Sequence, residues 1–185
     1  VSDDASNASE TTYRLATLDD VDDVVRLVES AYRGESSRAG WTTEADLLDG
    51  QRTDHTSVRY ALEHQGSVIL VTPQVGSLLG CCHLERRDVD RCYFGMFAVA
   101  PTAQSGGIGR RLLAEAERFA REQWDSTVME MTVITQRRDL IAWYERRGYS
   151  STGEMRPFPR SDERFGLPRR DDLAFEVLVK PLRST

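Results

Sequence analysis

Two periodicities of apolar and polar positions, close to 2 and close to 3.6 residues, succeed one another along the chain and mark its predicted elements. Tyr13 to Leu18 reads as a first strand. Thr17 with Asp20 three residues on forms a capping box, and Val21, Val24, Val25, Val28, Ala31 and Tyr32 recur at helical spacing, so a helix is predicted from Asp19 to Arg33. Thr43 with Asp46 repeats the box and predicts a short helix to Leu48, with Trp41 as its hydrophobic staple. Ser67 to Thr72 and Leu78 to Arg86 are apolar or β-branched runs around Pro73-Gln74-Val75-Gly76, the pattern of a hairpin, and Arg91 to Val99 follows as the next strand. Alternation along Leu78 to Arg86 points Cys81 and Cys82 to opposite faces, which argues against a vicinal disulfide, and sets His83 beside Glu85 as a solvated or edge pair. Ile108, Leu112, Ala116, Phe119 and Ala120 give an amphipathic helix running to Trp124, with Glu115, Arg118, Arg121 and Glu122 on its wet side. Thr127 to Ile134 is a strand with Val128, Glu130 and Thr132 on one face. Gln136 to Arg147 is a helix stopped by Gly148. Ser151 to Pro168 reads as a strand and a long loop bearing Phe158 and Phe165, placed to cover a site or simply to pack. Leu173, Phe175, Val177 and Val179 form the closing strand.

The densest chemistry lies between the strand ending Met96-Phe97-Ala98-Val99 and the helix that follows. Pro101 withholds a backbone donor and ends the strand, and Gln104-Ser105-Gly106-Gly107-Ile108-Gly109 opens the helix. Glycines without Cβ atoms let successive N–H groups converge at the positive end of the helix dipole, which suits an anion. The order fits neither a Walker A loop, since Arg110-Arg111 follows Gly109, nor the G-x-G-x-x-G dinucleotide fingerprint. Taken alone, the glycines also suit a turn that caps an ordinary helix.

Composition narrows the partners. Lys plus Arg is 24 against 30 Asp plus Glu, a net charge of -6 that disfavours nucleic acid or an anionic membrane and leans toward a cationic or neutral acceptor. Cys81, Cys82 and Cys92 lack C-x-x-C spacing and His55, His64 and His83 form no ligand pair, so reduced thiols and no metal are expected. Residues 1–12 are polar and read as a mobile tail rather than a signal peptide. No apolar run reaches the roughly 20 residues of a membrane span. One domain over residues 13–185 and a cytoplasmic location are expected.

Two motifs then carry a resemblance. Gln104, Gly107 and Gly109 match the Q/R-x-x-G-x-G/A pattern of the GNAT superfamily of acyl-CoA-dependent N-acetyltransferases, and Leu140 to Tyr149 resembles its A-x-x-x-Y-x-x-x-G-F/Y signature through Tyr144, Gly148 and Tyr149. The resemblance covers nearly all of the chain beyond the tail. It implies an α/β (α+β) fold with a mixed, mostly antiparallel sheet of six or seven strands, splayed between Arg91 to Val99 and Thr127 to Ile134 and flanked by about four helices. It further implies that acetyl-CoA is the co-substrate, with its phosphates on Gln104, Ser105, Gly106, Gly107, Ile108, Gly109 and Arg110 and its pantetheine arm on the backbone of Phe97 and Val99. By the same resemblance Tyr144 is the general acid and Tyr32, Glu35, Trp41 and Glu44 line the acceptor pocket. A homodimer is common in such proteins. The sequence departs from the pattern at Arg137, where many members carry Asn, and at Leu140, where Ala is usual; Gln104-Ser105 replaces the common Arg-Gly. No acid stands on Arg91 to Val99 where many members place a basic Glu, which leaves Glu130, flanked by Val128, as the candidate base. The implied reaction moves an acetyl group to a small cationic or peptide amine, with a non-catalytic acyl-CoA-binding module as the alternative.

Overall fold

A computed structural model describes residues 12–33, 37, 44, 46–160 and 166–182 of the chain. The first strand is short, β1 (Arg14–Leu15), and the predicted box forms: Asp20 accepts from the Thr17 backbone at 2.8 Å and takes Arg14 in a two-pronged bond at 2.7 Å. A 3-10 turn, Leu18–Asp20, leads into α1 (Val21–Tyr32), whose Val21, Val24, Leu27, Val28, Ala31 and Tyr32 are buried. The predicted helix from Thr43 to Leu48 is corrected. Thr43 lies outside the described residues, Asp46 and Leu47 make a turn, and β2 (Leu48–Asp49) pairs with β8 (Leu167–Pro168). Leu48 buries with Ile134, Phe158 and Leu173, and this distant packing outweighs the local cap signal. The sequence reading also missed α2 (His55–Glu63), capped by the Asp54 carboxylate accepting from Ser57 N at 2.6 Å.

The seven-stranded sheet runs in the order β1-β3-β4-β5-β6-β9-β7, with β3 (Ser67–Gln74), β4 (Ser77–Arg86), β5 (Arg91–Val99), β6 (Val128–Ile134), β7 (Ser150–Pro157) and β9 (Ala174–Pro181). Every neighbouring pair is antiparallel except β5 with β6. That parallel pair needs a crossover, which α3 (Ile108–Trp124) supplies. One face packs α1 and α2 over Ile69, Val71, Cys81 and Ala98. The other packs α3 and α4 (Arg138–Glu145) over Cys82, Leu84, Phe94, Met129, Met131 and Leu178. Cys81 and Cys82 thus face opposite ways, and the three cysteines are free and buried. Tyr149, the last motif residue, ties α3 to the sheet by donating to Glu117 at 3.0 Å, a carboxylate that also holds Lys180 at 2.6 Å.

The functional geometry begins where β5 and β6 part. Arg91, Cys92 and Tyr93 pair with Val128, Met129 and Glu130, and pairing stops there, while β6 continues along β9 to Ile134. The β4–β5 register gains a residue between Gly95 and Ala98, and Met96 takes a positive φ of 44°. A bulge of this kind bends its strand and re-aims the groups beside it. Here it carries β5 away from β6 and opens a gap through the sheet. Among the described residues no helix is long and apolar enough to cross a membrane, and no group of three or more His, Cys, Asp or Glu side chains is placed to hold a metal.

Candidate active site

On the α3 side of the gap lies a cleft of about 480 Å³. Its floor is the glycine stretch: a 3-10 turn, Pro101–Gly106, then Gly107 at φ 72°, then α3. Gly107 supplies a backbone conformation that L side chains rarely adopt. Gly109 is crowded for another reason, since a Cβ there would sit 3.3 Å from Phe97 Cζ and 3.5 Å from Val99 Cγ2 and would press on the Phe97 ring. Arg111 donates to the Gly106 carbonyl at 3.0 Å, which leaves the unpaired N–H groups of the first α3 turn beside the cleft. Arg110, Arg146 and Arg147 line it with Gln104, Trp143 and a single carboxylate, Asp139. The Arg147 guanidinium stacks on Trp143 at 3.5 Å, and its pKa is lowered by burial and by Arg146 and Arg110. Three crowded cations at a helix N-terminus suit an anion, because a bound polyanion would relieve their repulsion.

The exposed edge of β5 runs from this cleft toward the gap. The Ala100 N–H bonds Leu79 O at 2.9 Å, so strand alternation directs the N–H groups of Val99 and Phe97 to the other edge, where β6 has diverged. Their carbonyls are occupied: Val99 O accepts from Gln104 Nε2 at 3.1 Å, and Phe97 O from the Tyr32 hydroxyl. The free donors suit the amide carbonyls of an extended ligand.

A second cavity, about 230 Å³, passes through the gap and meets the cleft at Phe97, which lines both. Tyr144, Leu140, Phe94 and Met131 enter from the α4 face; Tyr32, His83, Tyr93, Thr132, Glu44 and Arg52 enter from the α1 side. Tyr144 is 4% exposed, and burial raises its pKa well above the ordinary phenol value, with Arg137 opposing that shift. Burial likewise pushes Tyr32 up to about 12. Tyr93 shares a hydrogen bond with Thr132 Oγ1 at 2.8 Å.

His83 has a defined tautomer. Ser67 spends its one hydroxyl proton on Ala61 O at 2.6 Å, so the 2.7 Å contact between Ser67 Oγ and His83 Nε2 is an imidazole N–H donating to oxygen. Nδ1 therefore keeps the lone pair. Burial lowers the His83 pKa below the ordinary 6.5, so the ring is neutral at pH 7. The sequence reading of His83 as a solvated or edge partner of Glu85 is corrected: β4 lies inside the sheet, and the ring borders the cavity.

Residues 23–149 match the family model described as Acetyltransferase (GNAT) family. The chain belongs to the GNAT family. No curated protein sequence matches this chain significantly. Solved GNAT-like structures superpose over almost its whole length. An N-acetyltransferase from Staphylococcus aureus Mu50 has a TM-score of 0.69 at 14% identity, covering 94% of this chain and 99% of its own. The Salmonella typhimurium protein yncA, solved with its cofactor acetyl-CoA, scores 0.68 at 19% identity with 96% of each chain covered. The ribosomal-protein-S18-alanine N-acetyltransferase of Escherichia coli scores 0.67 at 14% identity, covering 95% of this chain and 96% of its own. The expected mixed α/β GNAT fold is thus observed, and the chain is a GNAT N-acetyltransferase at the level of family and fold.

Within this GNAT frame the structure brings Phe97, Val99, Gln104, Gly107, Gly109 and Arg110 to one cleft, and Tyr32, Glu44 and Tyr144 to the adjoining cavity. Gly106 and Ile108 belong to the same loop and helix start, with Ile108 turned into the protein at 8% exposure. Ser105 falls in the 3-10 turn. Glu35 and Trp41 lie outside the described residues, as does Phe165. Glu130 is the clear correction. Its carboxylate is taken by Arg91 at 2.7 Å and Arg156 at 3.0 Å, and it does not border either cavity. It sits about 7 Å down the strand from Thr132, at the closed end of the gap. Glu44, read from sequence as acceptor-binding, is enclosed by Arg33 at 2.9 Å, Arg137 at 3.5 Å and Arg52 at 3.6 Å. Sequence reasoning missed Arg146, Arg147, His83 and Arg52. The Trp143–Arg147 spacing of four within the expected helix Gln136 to Arg147 was the local signal for Arg147.

Proposed function

We propose that this GNAT protein transfers the acetyl group of acetyl-CoA directly to a primary amine, with His83 as proton acceptor and Tyr144 as proton donor. What carries the reading is the gap between β5 and β6: it joins an arginine-lined anion cleft on one face of the sheet to an acceptor cavity on the other, with Phe97 at the junction. The pyrophosphate belongs on the glycine turn and Arg110, and the pantetheine arm along the Phe97 and Val99 N–H groups. The thioester then reaches the cavity that Tyr144 borders.

Attack by the neutral amine forms the N–C bond and a tetrahedral centre. His83 Nδ1 takes the amine proton, directly or through one water. Collapse breaks the C–S bond, and Tyr144 delivers its proton to the departing thiolate. Its raised pKa keeps the phenol protonated until that moment, and Arg137 steadies the phenolate that forms. Glu130, held by two guanidinium groups, takes no part.

Tyr144→Phe separates this reading from a non-catalytic acyl-CoA-binding module. The hydroxyl is removed while the ring contacts with Trp143 and Tyr149 stay. Acetyl-CoA affinity is expected to hold and kcat to fall about 100-fold or more. Unchanged kcat would remove Tyr144 from the mechanism.

A further inference from the structure

We infer that the acceptor amine also carries a carboxylate, and that Arg52 receives it; this rests on the acetyl-transfer reading and names its substrate class. The net charge of -6 suggests a cationic acceptor, but Glu44, the carboxylate that lines the cavity among the described residues, is already met by arginines. Arg33, Arg52 and Arg137 approach Glu44, and Glu29 nearby is spent on the backbone N–H groups of Arg52 at 2.6 Å and Thr53 at 2.9 Å. Among the described residues three guanidinium groups thus share the Glu44 carboxylate, with the Arg33 and Arg137 side chains 8% and 9% exposed.

The hydrogen bonds are as uneven as the charges. Arg33 Nη1 donates to Glu44 at 2.9 Å, whereas Arg33 Nη2 and both terminal nitrogens of Arg137 are buried without a hydrogen bond among the described residues, Arg137 Nη1 standing 3.5 Å from Glu44. Arg52 borders the cavity itself. It approaches Glu44 only to 3.6 Å, lies over the Tyr32 ring at 5.2 Å, and its guanidinium forms no hydrogen bond among the described residues. The unused donors of Arg52, whose side chain is 29% exposed, are open to an anion entering the cavity; the buried ones of Arg33 and Arg137 are costly without negative charge nearby, and a planar fork matches a carboxylate. Glu44 holds the fork in place and is too committed to arginine to bind a cationic amine. The cavity, about 230 Å³, has room for a small amino acid and is small for an aminoglycoside.

The test is calorimetric binding of standard α-amino acids and their matched carboxamides to the CoA-saturated protein, with thiol release from acetyl-CoA measured on the same pairs. At least one amino acid should bind and react, its carboxamide about tenfold or more weaker in both assays. Arg52→Gln should close that gap while leaving acetyl-CoA affinity unchanged, and Arg52→Lys should restore part of it. Equal binding of acid and amide, or an Arg52→Gln protein that keeps the preference, overturns the inference. Turnover of polyamines or amides as fast as acids overturns it too, while leaving acetyl transfer intact. Acid-selective binding without any thiol release upholds the carboxylate site and refutes the transfer reading.

Discussion

His83 and Gly109 show how single side chains set the chemistry. Because His83 is neutral with its lone pair on Nδ1, it is ready to accept a proton at neutral pH, and it loses that capacity as pH falls through its folded pKa. The lowered pKa places that loss below the ordinary imidazole value of 6.5. Measured at saturating amine, kcat should be level in this group from pH 7 upward and fall on the acid side below 6.5. His83→Asn should remove the acid limb and lower kcat by about 100-fold. An unchanged limb in that variant would assign the titration elsewhere. Gly109→Ala probes the cofactor side. Its Cβ would press on Phe97 and Val99 at the cleft floor, so acetyl-CoA affinity should drop about tenfold or more while the thermal midpoint moves by only a few degrees. Equal affinity in a calorimetric titration would mean that the cofactor does not lie against this floor.

At the scale of elements, α1 is secured by one acid. Asp20 closes the capping box and grips Arg14, and that guanidinium holds its pKa down at about 2. The unfolded carboxyl titrates near 3.8, so the stabilisation is fully present above that pH and is lost as pH falls toward 2. Asp20→Asn should therefore cost about 1–2 kcal/mol in denaturant unfolding at pH 7, with the difference from wild type shrinking at pH 2–3. A difference that stays constant with pH would contradict the ion pair. The same scale shows what the sequence made legible. The Thr17–Asp20 capping box, the hairpin and the turn that opens α3 are local patterns, and each appears where it was read. α2 was missed because Asp54 bonds Ser57 rather than a Glu and the helix buries only Val58 and Ala61. The helix expected to run to Leu48 had the better local signal, but Asp46 and Leu47 turn and Leu48 pairs as a strand, buried in a distant cluster.

At the scale of the whole molecule, the site is made by a gap that no local pattern announces. Met96 carries the positive φ that opens β5 from β6, and nothing about a methionine marks it for that role. His83 was legible as a face but not as a cavity wall, since alternation gives a side and not a neighbour. Arg33, Arg52 and Arg137 come from three separate segments and converge only in the fold. They gather positive charge around Glu44 at the cavity wall in a chain that is acidic as a whole. Glu130 looked suited to accept a proton until Arg91 and Arg156 were seen to hold both of its oxygens. Acetyl transfer through the gap is tested most directly by following thiol release from acetyl-CoA across amine acceptors, wild type beside Tyr144→Phe, at acetyl-CoA concentrations that saturate both. Thiol release by wild type with an amine acceptor, and release about 100-fold or more slower by the variant at equal cofactor affinity, is the expected result. Equal rates in the two proteins, or no acetyl-CoA binding by wild type, would contradict it.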